Sequence, residues 1–328
     1  MTLIKELITS IQKNKQTIVF PEAIDERVLG AASRLHSEEI LTPVLIGNRQ
    51  EIEKTAEEND LDIERITSID PDDYEEIDAM VDAFVERRNG KVDAEEAREI
   101  LRDMNYFGTM LVYMDKADGM VSGAIHSTSD TVRPAFQIIK AREGVSVVSG
   151  SFIMTRGDER YVFADCGINP DPNEQELAEI AVESARVAEA FDIKPAKVAM
   201  LSYSTHGSAG GPSVEKVVKA TKIAQESAPE FDIDGELQFD AALVESVGKS
   251  KAPDSKVAGQ ANVFIFPDLQ SGNIGYKIAQ RFGGFTAIGP LLQGLNKPVN
   301  DLSRGCSEED VYQIAIVTAQ FALMNQES

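Results

Sequence analysis

Short runs of β-branched and other apolar residues alternate along the chain with longer stretches in which apolar residues recur every three or four positions. The short runs predict strands, and the longer stretches predict amphipathic helices. The predicted strands are residues 17–20, 43–46, 119–122, 197–203, 262–266 and 285–288. The predicted helices are residues 25–37, 74–88, 93–104, 173–191, 212–227, 270–281 and 308–325. This alternation is typical of α/β folds with mainly parallel sheets.

One region departs from the alternation. Residues 145–155 and 160–164 are both rich in strand-forming residues, and the four residues between them, Arg-Gly-Asp-Glu, favour a tight turn. The pattern predicts an antiparallel hairpin, which interrupts a simple parallel sheet and indicates a change of domain. A length of 328 residues agrees with about two domains, at roughly 100 to 200 residues each.

Charge narrows the function classes. The chain has 32 Lys and Arg against 55 Asp and Glu, a net charge of -23. Residues 51–100 hold 19 acidic and 6 basic residues, so 6 - 19 = -13 of that charge lies there. Nucleic acids and anionic membrane surfaces attract basic clusters, so we expect neither as a partner.

Other features of the composition exclude further classes. No apolar run reaches the roughly 18 residues of a membrane span, and the N-terminus lacks the pattern of a secretory signal, so we expect a cytoplasmic protein. Two cysteines outside any CxxC spacing and three histidines predict neither a zinc site nor a disulfide framework. These counts leave a carboxylate site for magnesium open.

The first candidate site is residues 123–133, which lead from a predicted strand into a helix. Backbone N–H groups at such a helix start, with the hydroxyls of Ser127, Thr128 and Thr131, are able to hold a phosphate-like anion, and Arg133 could neutralise it. The alternative is that Ser129 or Asp130 only caps the helix and that Arg133 is a surface charge.

The second candidate, residues 201–212, joins a strand to a helix and is rich in glycine and hydroxyl residues. It resembles a phosphate cradle, although the chain has neither a GxxxxGK[ST] nor a GxGxxG motif. The candidate ligands are the side chains and N–H groups of Ser204, Thr205, Gly207 and Ser208. A connection that binds nothing is the alternative, and a lone loop histidine such as His206 is more often incidental than functional.

The third candidate is residues 294–310, before the last predicted helix. Ser303 and Arg304 lie in a loop, and Asp310 follows in the first helical turn. The alternative is concrete, because Ser307 and Asp310 fit the [ST]-x-x-[DE] capping box that closes a helix N-terminus. Residues 270–277 form a fourth strand-to-helix junction, to which we assign no catalytic role.

Four segments together resemble the phosphotransacetylase (phosphate acetyltransferase) family: residues 126–134 (HSTSDTVRP), 202–208 (SYSTHGS), 266–276 (FPDLQSGNIGY) and 300–306 (NDLSRGC). The similarity extends over essentially the whole chain, and the last motif is highly specific. His206 is a departure, because many members have lysine there. The resemblance implies reversible transfer of an acetyl group between acetyl phosphate and coenzyme A, giving acetyl-CoA and inorganic phosphate.

The resemblance also implies an architecture and an assembly. It predicts two α/β domains like those of isocitrate and isopropylmalate dehydrogenases, with the active site in the cleft between them. The first domain would be residues 1–147 plus 300–328, and the second residues 148–299. The family further implies a homodimer, a pathway partner in acetate kinase, coenzyme A as a substrate rather than a tightly bound cofactor, and no required metal.

By the same resemblance, Ser303, Arg304 and Asp310 match the catalytic residues of the family. Asp310 would be the base for the coenzyme A thiol, Arg304 would bind acetyl phosphate and stabilise negative charge on the attacked carbonyl, and Ser303 would donate a hydrogen bond to the intermediate. A thiol with a pKa near 8.5 and a carboxylate near 3.9 differ by about 4.6 units, or roughly 6 kcal/mol. The base role therefore requires burial of Asp310, a nearby guanidinium, or both.

The leaving phosphate also needs positive charge. The candidates are Arg133 and the N–H groups around Thr205 to Ser208, with Arg87 as a weaker family-based possibility because Arg88 lies beside it. A rival mechanism has Cys306, at a helix start, carrying the acyl group; we favour direct transfer, because coenzyme A already supplies a thiol. Three other functions stay open: phosphate butyryltransferase, a dehydrogenase of this fold, and a coenzyme A-binding module without catalysis.

Overall fold

The computed structural model describes residues 3–327. The chain forms two compact units, one built from residues up to Arg142 together with those from Leu295 onward, and the other from Glu143–Gly294. Met1, Thr2 and Ser328, which the predicted first domain includes, lie outside the described residues. The predicted domain bounds, residues 1–147 with 300–328 and residues 148–299, stay a prediction.

The first unit contains a five-stranded sheet in the order β11-β4-β1-β2-β3, in which every neighbouring pair is parallel. Its strands are β1 (Thr17–Phe20), β2 (Thr42–Ile46), β3 (Thr67–Ile69), β4 (Gly119–Ser122) and β11 (Val299–Asp301). All four residues of β4 are buried, as expected for a central parallel strand that is covered on both faces. The last strand thus returns from the end of the chain to the sheet edge beside β4.

The helices of the first unit are α1 (Leu3–Ile11), α2 (Glu26–Ser37), α3 (Arg49–Glu58), α4 (Ile77–Arg87), α5 (Ala94–Ile100), α6 (Met104–Tyr113), α7 (Thr128–Pro134) and α13 (Glu308–Glu327). A 3-10 turn covers Pro71–Asp73, and a π-helical turn, Ala135–Ile139, continues α7. Helix α13 packs on α1, α2 and β4. Its residues Val311, Ile314, Ala315, Ile316 and Val317 are all buried, as expected for a helix that is enclosed on most sides.

The second unit contains a six-stranded sheet in the order β10-β5-β6-β9-β7-β8. Strands β5 (Ser149–Arg156) and β6 (Glu159–Ala164) form an antiparallel pair, which confirms the predicted hairpin. Strand β10 (Thr286–Gln293) is also antiparallel to β5, whereas β6, β7 (Lys197–Leu201), β8 (Asp232–Leu237) and β9 (Val263–Ile265) pair in parallel. The α/β class with mainly parallel sheets is therefore confirmed.

The helices of the second unit are α8 (Glu174–Ala190), α9 (Pro212–Ser227), α10 (Phe239–Leu243), α11 (Glu245–Lys251) and α12 (Leu269–Arg281). Both α8 and α9 begin where the sequence indicates. Asn173 and Glu176 form a reciprocal capping box at α8, and Pro212 is the first residue of α9. No helix among residues 3–327 is long and apolar enough to cross a membrane.

A buried carboxylate fixes the segment that follows β6. Asp165 is 1% exposed, and its Oδ1 atom accepts hydrogen bonds from the N–H groups of Gly167 at 2.8 Å and Ile168 at 3.0 Å. Its Oδ2 atom accepts from the N–H group of Asn169 at 2.9 Å. Several backbone N–H groups that point toward one carboxylate stabilise it when it is buried. The turn over residues 165–169 is therefore organised around the Asp165 side chain.

The structure also corrects the element predictions. The predicted helix over residues 93–104 is shorter in the structure, because α5 ends at Ile100. Asp103 then caps a separate helix, α6: its Oδ1 atom accepts from the N–H groups of Asn105 at 2.9 Å and Tyr106 at 3.1 Å. The sequence pattern missed the strands β3, β8 and β11 and the helices α1, α3, α6, α10 and α11. Strands β3 and β11 have three residues each, and helices α10 and α11 have five and seven, so their periodicity is too short to recognise.

Candidate active site

The loop between β11 and α13 presents Ser303 and Arg304 to solvent. The loop is tightly turned, because the N–H group of Cys306 donates to the carbonyl oxygen of Ser303 at 2.8 Å. The N–H group of Gly305 donates to the Oγ atom of Ser303 at 3.3 Å. Both side chains are exposed and follow directly on the buried residues Asp301 and Leu302. The two candidate catalytic side chains are therefore carried on a short loop with a fixed base.

Asp310 closes the N-terminus of α13. Its Oδ2 atom accepts hydrogen bonds of 2.8 Å from both the N–H group and the hydroxyl of Ser307, and its own N–H group donates to Ser307 Oγ at 3.2 Å. This is the capping box that the sequence offers as the alternative to a catalytic role. Asp310 is exposed, so burial, one of the two conditions for a basic carboxylate, is not met in the chain alone.

Arg27, which was not predicted from the sequence, holds the backbone of the loop between β11 and α13. Its guanidinium donates to the carbonyl oxygens of Arg304 at 3.0 Å, Cys306 at 2.9 Å and Ala124 at 3.0 Å. It also pairs with Asp25 through two hydrogen bonds of 2.9 and 2.8 Å, and this pairing raises the pKa of Arg27. A single side chain from the first turn of α2 thus joins the loop after β11 to the segment after β4.

Glu22, also missed, shapes the first candidate segment. Its carboxylate is buried and accepts hydrogen bonds from four consecutive backbone N–H groups, those of residues 123–126, at 2.6 to 2.9 Å. The Nδ1 atom of His126 lies 2.7 Å from the same carboxylate. The N–H groups of residues 123–126, which precede the helix start that we expected to hold a ligand anion, are therefore occupied by a side chain of the protein itself.

Helix α7 contains the remaining residues of that segment. Ser127 caps it in a reciprocal box with Asp130, so the cap involves Ser127 and Asp130 and not Ser129. The hydroxyl of Thr128 donates to Asp301 Oδ2 at 2.7 Å. Arg133 is exposed and donates to the Oγ atom of Ser129, one turn earlier, at 3.1 Å. The structure thus places Thr128 next to the strand that leads to Ser303.

Arg87 is engaged with the backbone. It donates to the carbonyl oxygens of Ile138 and Ile139, and its guanidinium lies 4.9 Å from the ring centroid of Tyr113. The neighbouring Arg88 has a buried Nε atom without a hydrogen-bond partner among the described residues. The positive charge of both arginines lowers the pKa of Lys140. Arg87 is therefore held by backbone hydrogen bonds, whereas the Nε atom of Arg88 is left without a partner among the described residues.

In the second unit, the loop between β7 and α9 folds around Glu236. This carboxylate is 3% exposed, and its Oε1 atom accepts from the hydroxyl of Ser204 and the N–H group of Gly207, both at 2.8 Å. The Oγ atom of Ser208 accepts from the N–H group of Thr205 at 3.0 Å. All six backbone N–H groups of residues 204–209 have partners within the chain. This predicted cradle also encloses an internal carboxylate.

His206 occupies the tip of the same loop. Its φ is +45°, and its Nε2 atom lies 3.3 Å from Asp234 Oδ1, a contact within the second unit. The N–H group of His206 donates to the carbonyl oxygen of Glu236 at 3.1 Å. The ring thus has a local structural partner.

The two cysteines are both buried. Burial raises the pKa of Cys306, and the nearby Arg27, 3.7 Å from the sulfur, opposes that shift. Burial raises the pKa of Cys166 well above its ordinary value. Because a thiolate is the reactive form, neither environment favours a cysteine nucleophile.

The chain is similar to proteins of known sequence and structure. The chain is 61% identical over 306 residues to the phosphate acetyltransferase of Bacillus subtilis (strain 168), covering 93% of this chain and 94% of the relative. A phosphotransacetylase structure from Streptococcus pyogenes superposes with a TM-score of 0.96 at 57% identity, covering 99% of this chain and 100% of that one.

The predicted likeness to dehydrogenases is found at the level of the fold. A 4-hydroxythreonine-4-phosphate dehydrogenase from Burkholderia phymatum superposes with a TM-score of 0.52 at 13% identity, covering 94% of this chain and 98% of that one. Residues 2–319 match the family model described as phosphate acetyl/butaryl transferase. The chain belongs to the phosphate acetyl/butyryl transferase family.

Proposed function

We propose that this chain, an acyltransferase, moves an acetyl group between acetyl phosphate and coenzyme A by direct attack of the coenzyme A thiolate. The observation that carries the proposal is the exposed pair Ser303 and Arg304 on a loop whose backbone Arg27 fixes with two hydrogen bonds. Fixed donors stabilise developing charge without the cost of reorganisation. A loop of this kind suits a reaction that passes through an oxyanion.

In the proposed reaction, the thiolate attacks the acetyl carbonyl carbon and a C–S bond forms. Negative charge collects on the carbonyl oxygen, where Arg304 and the Ser303 hydroxyl stabilise it. The C–O bond to the phosphate then breaks, and inorganic phosphate leaves with the electron pair. Asp310 accepts the thiol proton in the forward direction.

The exposure of Asp310 sets a condition on that last role. A solvated carboxylate is a poor base for a thiol, because their ordinary pKa values differ by about 4.6 units. We propose that bound substrate excludes water from Asp310 and that Arg304 favours the thiolate, so that both effects narrow the gap. Ser307 would then hold the carboxylate in place through its two hydrogen bonds.

The roles of the substrate-binding residues stay proposals, and they depend on whether each side chain already has a partner within the chain. Arg133 is exposed, and among residues 3–327 its guanidinium donates one hydrogen bond, of 3.1 Å to Ser129 Oγ, so we propose that it can turn toward a phosphate group. Ser127, Thr128, Ser204, Thr205, Gly207 and Ser208 already make internal hydrogen bonds. These six would therefore act by shaping loops or by exchanging partners. Arg87 is committed to backbone carbonyls, which makes its neighbour Arg88 the better candidate for a ligand charge.

The assembly and setting also belong to the proposal. We propose a cytoplasmic homodimer whose substrate is exchanged with acetate kinase, as the family resemblance implies. An exposed apolar stripe on α12 supports a dimer: Ile274, Ile278 and Phe282 are four residues apart and 58%, 53% and 92% exposed. Apolar side chains that recur at this spacing line one face of a helix and are typical of contact surfaces.

The decisive test is thioester formation from coenzyme A with acetyl phosphate, run beside butyryl phosphate. We expect rapid formation with the acetyl substrate and slower formation with the butyryl one. A preference for butyryl phosphate would favour the phosphate butyryltransferase alternative. Coenzyme A binding without turnover of either substrate, in folded protein, would favour the non-catalytic alternative.

A further inference from the structure

A partly buried hydrogen bond joins the strand that leads to the Ser303–Arg304 loop to the first turn of α7. Asp301 is the last residue of β11 and is 2% exposed. Its Oδ2 atom accepts a hydrogen bond of 2.7 Å from the hydroxyl of Thr128, 173 positions earlier. Only Leu302 separates Asp301 from Ser303. A shift of Thr128 relative to Asp301 therefore displaces α7 relative to the end of β11, where the Ser303–Arg304 loop begins.

The surroundings of Asp301 are unusual for a carboxylate. No cation pairs with it among residues 3–327, and the charge that acts on it is the buried carboxylate of Glu22, which in turn contacts His126. The hydroxyls of Thr128 and Thr131 on helix α7 face Asp301 and lower its pKa, which opposes the effect of burial. Of the two, Thr128 is within hydrogen-bond distance of the carboxylate. The Oδ1 atom of Asp301 has no partner within the described chain.

Gly123 makes room for this carboxylate on the side of β4. A Cβ atom added to Gly123 would lie 2.3 Å from Asp301 Oδ1, and the φ of Gly123 is +109°, a conformation that favours glycine. Burial among uncharged and acidic groups disfavours the ionised form, and the pKa of Asp301 is raised to about 6. An asparagine has nearly the same shape and no charge, so it would fill this site with a smaller loss of hydration free energy. Packing therefore does not explain why an ionisable carboxyl group is buried here.

We propose that Asp301 is a positioning residue for acyl transfer, whose ionised carboxylate holds Thr128 and thereby fixes the first turn of α7 relative to Ser303 and Arg304. This rests on the proposed function. A hydrogen bond to an ionised acceptor is shorter and stronger than one to a neutral acceptor. Catalysis is sensitive to displacements of about 1 Å between reacting groups, so a looser contact lowers turnover.

The neighbouring residue provides a matched control. The side-chain amide of Asn300 donates a buried hydrogen bond of 2.9 Å to the hydroxyl of Thr318 in α13. The variants Thr128→Val and Thr318→Val each remove one hydroxyl that contacts β11, the first partly buried and the second fully buried, but only the first loosens α7. We expect kcat/KM for coenzyme A and acetyl phosphate to fall about tenfold in Thr128→Val, mainly through kcat, and less than twofold in Thr318→Val. Equal losses in the two variants would overturn the proposal.

The second measurement is the pH dependence of kcat. The wild-type protein should lose activity as the pH falls through about 6, where Asp301 takes up its proton. Asp301→Asn should be slower at pH 8 and should lack this acidic limb, although it remains folded. An unchanged limb in Asp301→Asn would overturn the proposal. Wild-type protein without acetyl transfer would overturn the proposed function and this inference with it, whereas active wild type with normal Thr128→Val would overturn the inference alone.

Discussion

The guanidinium of Arg27 donates a hydrogen bond of 3.0 Å to the carbonyl oxygen of Arg304, which lies 277 positions later in the chain. The same nitrogen reaches the carbonyl of Cys306, and the other terminal nitrogen reaches that of Ala124. The side chain of Arg304, by contrast, has no internal partner among the described hydrogen bonds and ion pairs. The backbone of the candidate catalytic residue is thus held while its side chain is left for substrate.

Arg27→Lys should lower kcat by about 10- to 100-fold with a small effect on stability. Lysine keeps the charge, but one ammonium group cannot donate to three carbonyl oxygens in a fixed plane. The control is Arg34→Lys on the same helix, where the arginine pairs with Glu38 and Glu309 at the surface. Steady-state kinetics should show less than a twofold change for the control. Similar rates for the two variants would remove the positioning role of Arg27.

Asp310→Asn and Ser307→Ala separate catalysis from capping. Both disturb the capping box, and we expect Ser307→Ala to cost about 1 kcal/mol of unfolding free energy. Only Asp310→Asn removes the proposed base, so its turnover should fall by about two orders of magnitude or more. Urea unfolding and steady-state kinetics on both variants distinguish the two roles. A folded Asp310→Asn protein with near-normal turnover would contradict the base assignment.

Cys306→Ala should keep most of its activity. Burial raises the pKa of this thiol, and the guanidinium of Arg27 only partly offsets that effect, so little thiolate forms at neutral pH. The measurement is turnover of the variant, together with mass spectrometry of wild-type protein quenched during turnover. An acetylated Cys306 in the quenched sample, with an inactive alanine variant, would establish the two-step mechanism instead.

Asp301→Asn should stabilise the protein at neutral pH while slowing it. The pKa of Asp301 rises from 3.8 to about 6 on folding, so its contribution to stability is lost as the pH rises through about 6. Asparagine has no such dependence, and its advantage over aspartate should grow between about pH 4 and 6. It should then level off at no more than about 3 kcal/mol. Urea unfolding of both proteins across this range is the test, and a constant difference would contradict the raised pKa.

Glutamate substitutions at Ile278 and Phe282 should separate the proposed dimer into single chains. The two side chains are 53% and 92% exposed on one face of α12, and a charge there opposes burial against a second copy. Ile24→Glu, at an isolated apolar residue that is 50% exposed in the first unit, is the control and should leave the mass unchanged. Light scattering measures the mass of each variant. A wild-type protein that already behaves as a single chain would contradict the dimer.

Much of the fold follows from local pattern. The hairpin of β5 and β6 was predicted because a turn between two β-rich runs is encoded within a few residues. The start of α8 was predicted for the same reason, since Asn173 and Glu176 are three residues apart. Strand β11 was missed, because its three residues, Val-Asn-Asp, become a strand only through pairing with β4, nearly 180 residues away.

In the candidate site, too, the local motifs were predicted and the contacts between distant parts of the chain were missed. Its hydroxyl-rich loops and the Ser307–Asp310 cap could be recognised from sequence, since each is a local motif. Glu22 and Arg27 could not, because they act on residues 97 to 279 positions away and nothing near them in sequence indicates their partners. Their position directly after β1, at the carboxyl edge of the sheet, was the one available signal.

Three of the buried carboxylates, those of Glu22, Asp165 and Glu236, affect how strongly the chain can bind a substrate. Glu22 and Asp165 each accept hydrogen bonds from several backbone N–H groups, and Glu236 accepts from one N–H group and one hydroxyl, so each loop already has its shape before a substrate arrives. Ordering a loop on binding costs free energy that is subtracted from affinity, and preorganised loops avoid that cost. These three acidic residues therefore add to the net negative charge while preparing the chain to receive negatively charged substrates.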